Sequence, residues 1–113
     1  MRVYGRDVSM IRGDTEAIRV SVKEQYGDQI LLGDGDTIYF TIKEHSRSEV
    51  NLIQKVVNEF VEGEAIIKIE PADTKDLEFK TYYYDIQLTR VNGDVKTIIP
   101  ASKLKIESEI TYE

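Results

Sequence analysis

The chain has 113 residues, 41% of them hydrophobic and 32% charged, which is the make-up of an ordinary globular protein with one core rather than of a disordered chain. With 15 Lys and Arg against 21 Asp and Glu the net charge is −6, and no basic stripe relieves it. That argues against binding nucleic acid through its phosphates and against anionic membrane surfaces.

Cysteine is absent, which excludes disulfides, thiolate zinc sites and cysteine nucleophiles. This suits a reducing compartment and equally a particle assembled in one and released later. No run of ~18 apolar residues is present to form a transmembrane helix. The opening MRVYGRDVSM scatters its charges and has no apolar centre, so it does not read as a signal peptide. Seven Tyr, no Trp and many Ile, Val and Thr lean the composition towards strand.

Met1 to Ser9 is weakly patterned, a short edge strand or an arm. From Met10 to Lys23, Ile18, Val20 and Val22 alternate with Arg19, Ser21 and Lys23, as in a half-buried strand, and Gly13-Asp14 marks a kink or bulge in it. Two turn clusters, Tyr26-Gly27-Asp28 and Gly33-Asp34-Gly35-Asp36, flank a short Ile30-Leu31-Leu32 segment. Thr37 to Glu44 is a strand with Ile38, Phe40 and Ile42 on one face and Tyr39, Thr41 and Lys43 on the other; His45 to Glu49 is a loop. Val50 to Val61 has two readings. Leu52, Ile53, Val56, Val57, Phe60 and Val61 recur with helical spacing. The tight Glu62-Gly63 turn into the evident strand Ala65 to Ile69 calls instead for an adjacent pairing partner, and we read the segment as a strand, with Val50, Leu52, Val56 and Phe60 facing inward together with Gln54 and Asn58.

Pro71 ends the Ala65 to Ile69 strand, and Ala72 to Leu77 forms one helical turn that Asp73 or Thr74 can cap. Lys80 to Ile99 is a hairpin. Asn92-Gly93 between alternating runs signals a two-residue type I′ turn, which pairs Val91 with Asp94, Leu88 with Thr97 and Ile86 with Ile99. On its first strand Tyr82, Tyr84, Ile86 and Leu88 share the packing face; Tyr83, Asp85, Gln87 and Thr89 share the other. Pro100-Ala101-Ser102 closes the hairpin, and Lys103 to Glu113 is a further strand with Leu104, Ile106, Ser108, Ile110 and Tyr112 on its inner face. About seven strands with frequent turn signals make a sandwich or a barrel.

Few residues carry chemistry. His45, the sole histidine, stands in a polar loop and reads as a solvated side chain; a histidine-based metal site would need carboxylates for all its other ligands. Asp34-Gly35-Asp36-Thr37 has the first spacing of a calcium loop, but Ile38 and Tyr39 follow where more oxygen ligands belong. The carboxylate pairs Asp14/Glu16 and Glu107/Glu109 fall on solvated strand faces without a sugar cleft. Arg12-Gly13-Asp14 spells an integrin-binding tripeptide, too short to weigh against a strand kink. The Gly-Asp-Thr triplets at Gly13 and Gly35 lack a third copy and are not a repeat. Tyr82-Tyr83-Tyr84 lacks the basic groove of a nucleic-acid stacking platform; Tyr82 and Tyr84 read as core or corner tyrosines, and Tyr83, facing away, as a partner surface. No catalytic residue, cofactor or metal ligand is assigned.

Asp73-Thr74-Lys75-Asp76-Leu77, the strand Tyr82 to Thr89, and Asn92-Gly93-Asp94, with Gly13-Asp14-Thr15, Gly35-Asp36-Thr37 and Lys105-Ile106-Glu107, together resemble the immunoglobulin-like domains of tailed-phage structural proteins. The nearest likeness is to the N-terminal immunoglobulin-like domain of phage baseplate upper proteins, and it extends over most of the chain from Met10. Lys80-Thr81 stands where that pattern often has Gly. Such proteins usually continue into a fibre or receptor-binding region, so a chain ending at Glu113 is expected to be a standalone adaptor or accessory virion protein, or a prophage-encoded relative.

The resemblance implies an all-β, immunoglobulin-like antiparallel β-sandwich occupying residues 1–113 as a single domain. It further implies a non-enzymatic structural module of a phage tail or baseplate, made in the bacterial cytoplasm and located in the virion. Its partners would be other virion proteins and further copies of itself, with neither nucleic acid nor membrane. The alternative is an extracellular carbohydrate-binding or adhesion module, which a concave, polar, aromatic-floored pocket would favour. A third reading is an accessory subunit of a cytosolic enzyme.

Overall fold

Period-two alternation produces strands along most of the chain, and the computed structural model, which describes residues 2–4, 6–23 and 29–108, shows how they join. The described residues form β1 (Arg2–Tyr4), β2 (Asp7–Ile11), β3 (Glu16–Val20), β4 (Val22–Lys23), β5 (Gln29–Ile30), β6 (Thr37–Lys43), β7 (Ile53–Val57), β8 (Ala65–Ile69), α1 (Pro71–Thr74), β9 (Thr81–Thr89) and β10 (Val95–Glu107). Seven of these strands have five residues or more. A six-stranded sheet runs β1-β2-β10-β9-β6-β7; β3 pairs with β8, and β4 with β5. The fold is an all-β sandwich. Placing β10, β9, β6 and β7 side by side opposite a β3–β8 pair is consistent with an immunoglobulin-like layout.

One core lies between the layers. Ile38, Phe40 and Ile42 of β6, Ile86 and Leu88 of β9, and Leu104 and Ile106 of β10 meet Val20 of β3 and Ala65, Ile67 and Ile69 of β8. Phe40 and Tyr84 pack ring to ring at 5.6 Å. At the bend into β9 the Glu78 N–H donates to Tyr82 Oη at 2.9 Å, and the Tyr82 hydroxyl donates back to the Glu78 carbonyl at 3.3 Å. A tyrosine at the start of a strand, bonded to backbone a few residues upstream, is the tyrosine corner of immunoglobulin-like sandwiches. Tyr82 and Tyr84 are thus the corner and core tyrosines that the alternation anticipates.

Several expectations need correcting. The pairing of β2 with β10 is parallel, so the sheet is not wholly antiparallel. The two strands come from opposite ends of the chain, so no hairpin turn between them imposes antiparallel pairing. Gly13-Asp14 is no kink within a strand: it is where the chain crosses from β2 in the large sheet to β3 in the small one. Gly13 has φ +85°, and its N–H donates to Thr74 Oγ1 at 2.9 Å, while Arg12 Nη1 donates to the Leu77 carbonyl at 3.2 Å. The Arg-Gly-Asp tripeptide is thereby part of the crossing.

The hairpin turn is a three-residue loop, Val91 to Gly93, in place of a type I′ turn. Arg90 and Asp94 bond across it, the Gly93 N–H donates to the Arg90 carbonyl, and of Asn92 and Gly93 only Gly93 has positive φ. The longer loop moves the register by one, so Leu88 faces Lys96 and not Thr97; an irregularity after Thr97 then restores Ile86 opposite Ile99. Pro100-Ala101-Ser102 does not end a strand either. β10 continues through it for 13 residues with a second register shift, since a bulge tolerates a proline that has no N–H to donate. The positions expected to extend that strand beyond Ser108, and the Tyr26-Gly27-Asp28 turn, lie outside the described residues.

Val50 to Val61 is strand only from Ile53 to Val57, in opposite phase to the expectation. Ile53, Lys55 and Val57 are half-buried, while Val50, Leu52 and Val56 are exposed. Both alternating sets in this segment hold apolar residues, so the phase is decided by the neighbour: Ile53 falls opposite Ile42 and Val57 opposite Ile38. β7 therefore joins β6, and β8 joins β3 across the sandwich, with a single bridge from Val61 to Glu64 where a hairpin was expected. The helical turn is present as α1; its Asp73 carboxylate accepts the Glu70 N–H at 2.7 Å, and Thr74 is fully buried.

Candidate functional site

Strand alternation sends one side chain in two away from the core, and on β6 and β9 the outward residues stand in register. Tyr39 lies opposite Gln87, Thr41 opposite Asp85 and Lys43 opposite Tyr83. β7 extends two of these rows, with Val56 beside Tyr39 and Gln54 beside Thr41; Gln54 Nε2 donates to Thr41 Oγ1 at 3.2 Å. On the other side Thr97 faces Gln87 and Lys103 faces Tyr83, but the register passes from Ile86 to Tyr84 without giving Asp85 a partner on β10. The bulge around Pro100 is the cause. It leaves a depression of about 50 Å³ beside Asp85 and Tyr83, and an open groove of about 420 Å³ runs over Tyr39, Thr41, Asp85 and Gln87 towards Asn51 and Gln54.

Asp85 is half-buried in this face, and its carboxylate makes no hydrogen bond or ion pair with any described residue. Burial pushes its carboxyl up, and the nearby Lys43 charge only partly offsets that. Tyr83 is half-buried on the outward side of β9, between Lys43 and Lys103. Tyr83 thus points away from the core as its alternation requires, and Tyr39, Asp85 and Gln87 share its face. Alternation had already set both outward rows apart; it could not say that β6 and β9 are neighbours, which is what makes one surface of them.

A second feature is the sheet margin. Among the described residues β7 is an outermost strand, paired on one side only; Val56 on it and Val50, Leu52 and Val61 in the flanking segments are 54%, 68%, 42% and 53% exposed. Among the described strands β8 pairs only with β3, so both layers end on this side, and Val57, Phe60, Val61 and Ile66 line an open groove of about 440 Å³ between them. Lys55, the cation within β7, is taken up by Asp73 at 2.7 Å. Burial opposes the Asp73 charge, but the Lys55 hydrogen bond and the Glu70 N–H prevail and hold its carboxyl below the usual range.

The remaining sequence candidates are dispersed. His45 is exposed in the loop after β6. Asp36 is buried and committed: Gly33 N–H and Val91 N–H each donate to it at 3.1 Å, and Arg90 Nε lies 3.2 Å away. Asp14 is in the β2–β3 crossing and Glu16 begins β3, while Glu107 ends β10 and Glu109 is outside the described residues. Among the described residues no group of three or more His, Asp or Glu is placed to hold a metal ion, and no helix is long and apolar enough to cross a membrane.

Compared with protein-family models and with curated proteins, the chain matches none.

Proposed function

We propose that this protein is a non-enzymatic structural or adaptor module of a phage or prophage tail or baseplate, working by protein–protein contact with other virion proteins and with copies of itself. The observation that carries the reading is the β7 margin. A strand edge offers unpaired N–H and C=O groups to any extended chain, and proteins that stay apart guard such edges with outward charges, prolines or a covering segment. Here the outward residues are Gln54 and Val56, neither of them charged, the strand's only lysine is turned to Asp73, and Val50, Leu52 and Val61 add exposed apolar side chains before and after the strand. An added strand gains main-chain bonds along β7, while the groove at Phe60 and Ile66 accepts its side chains. The particle itself comes from the likeness of the Asp73–Leu77, Tyr82–Thr89 and Asn92–Asp94 segments to tailed-phage immunoglobulin-like domains.

Light scattering on the full chain tests the contact. A concentration-dependent oligomer, or a stable complex with phage tail or baseplate proteins, is expected. Val56→Lys should weaken either at least tenfold without unfolding the domain, because position 56 is solvent-facing. A strict monomer with no affinity for those proteins would sink the reading.

A further inference from the structure

We propose that the groove over β6 and β9, together with the depression that adjoins it at Asp85 and Tyr83, is a binding site for a neutral oligosaccharide, with Asp85 as its central hydrogen-bond acceptor, Tyr39 in the groove and Tyr83 in the depression as surfaces for sugar rings. The proposal rests on the outward side chains of β6 and β9 and not on strand pairing at the β7 edge.

The groove holds hydrogen-bonding groups that the fold does not use. The side chains of Asp85, Gln87 and Asn51 make no hydrogen bond with any described residue. Outward polar side chains are ordinary on a sheet, but they are ordinarily surrounded by water. Asp85 is not, since the strands on either side and the β10 bulge half-bury it without supplying a donor. A ligand that brings hydroxyl donors to its two oxygens removes that deficit, and the amides of Gln87 and Asn51 can each donate and accept beside it.

Charge selects among ligands. Asp85 and Lys43 put one carboxylate and one ammonium in the groove, which leaves it close to neutral. The surrounding chain is acidic at −6 and disfavours anionic glycans. The polar lining offers little to an apolar ligand. A neutral polyol meets all of these conditions, and about 420 Å³ is within the ~300–1,000 Å³ usual for small-ligand sites.

Position then argues for a chain of sugars rather than one. Tyr39 stands opposite Gln87 and Tyr83 is four residues from it along β9, so the two tyrosines lie about 13 Å apart along the strand with Asp85 between them. Aromatic faces give apolar contact to the C–H side of a ring while its hydroxyls bond at the edges.

The test uses the full chain, isotope-labelled, titrated separately with maltotetraose, cellotetraose and triacetylchitotriose and followed by amide chemical shifts. At least one sugar should give saturable shifts, in the millimolar range or tighter, centred on Thr41, Asp85 and Gln87. Asp85→Ala should weaken that binding at least tenfold and Gln87→Ala severalfold; Lys68→Ala, on the far layer, should leave it unchanged. Asp85→Ala removes an unpaired, half-buried charge, so loss of binding with intact spectra is not misfolding. Three outcomes overturn the proposal: no shift on this face with any of the three sugars, binding that survives Asp85→Ala, or shifts at these amides on raising protein concentration alone, which would make the face a contact between copies.

Discussion

Asp85 and Asp73 are carboxylates that the fold treats in opposite ways, and pH separates them. Burial raises the Asp85 carboxyl, so its folded state holds a proton more readily than the unfolded chain. Its contribution to stability is fully present below the unfolded value of about 3.9 and is lost as pH rises through the folded value. Asp85→Asn should therefore raise the urea midpoint at pH 7, with the gain vanishing below about pH 4. Asp73 is lowered, so its stabilisation is present above the unfolded value and is lost as pH falls through the folded one. Asp73→Asn should cost up to about 1 kcal/mol at pH 7, most of it the partly exposed pair with Lys55, and nothing in strong acid. Tyr82 contributes through one hydroxyl. Tyr82→Phe keeps the ring in the core and removes both bonds to Glu78, for an expected loss of about 1–2 kcal/mol by denaturant unfolding.

Among the elements, the β9–β10 hairpin is held from outside its own turn. Asp36 reaches from the turn before β6 to the Val91 N–H and to Arg90, and the Gly35 backbone comes so close that an added Cβ would stand 2.5 Å from Val91 Cγ2. Gly35 also has φ +89°, a conformation that side chains rarely adopt. Asp36→Ala would leave the Gly33 and Val91 N–H groups without their acceptor and Arg90 without its counter-ion. We expect a loss of about 2–3 kcal/mol and faster hydrogen exchange in the 90–94 loop. If exchange there is unchanged, the hairpin is not held by this link. This contact also explains why the Asn-Gly signal misjudged the turn. Local propensity weighs Asn92-Gly93 alone, whereas Val91 is fastened to a residue 55 positions away, and the loop takes three residues with Gly93 alone left-handed.

At the scale of the whole molecule, two layers share one core, and Phe40 of β6 stands in it fully buried against Tyr84. Phe40→Ala should cost about 3–5 kcal/mol through lost transfer energy and an unfilled cavity. Because β6 faces the core on one side and carries the groove on the other, the loss should appear in one cooperative transition; separate melting of the outer face would contradict a shared core. The two proposed surfaces divide the same sheet, its margin at β7 offering backbone and apolar side chains and its outer face offering polar groups.

The sequence alone determined the elements whose one face is apolar without ambiguity. Ile38-Phe40-Ile42, Ala65-Ile67-Ile69 and Tyr82-Tyr84-Ile86-Leu88 are buried as their alternation requires, because the opposite phase would place a full set of large side chains in water. It also separated the outward rows Tyr39-Thr41-Lys43 and Tyr83-Asp85-Gln87. Tertiary structure alone decided the rest: the phase of β7, where both faces offered apolar residues; the sheet to which β2, β7 and β8 each belong; and the meeting of the two outward rows in one groove around Asp85. Those outcomes depend on contacts between residues far apart in the chain, and no local period encodes them.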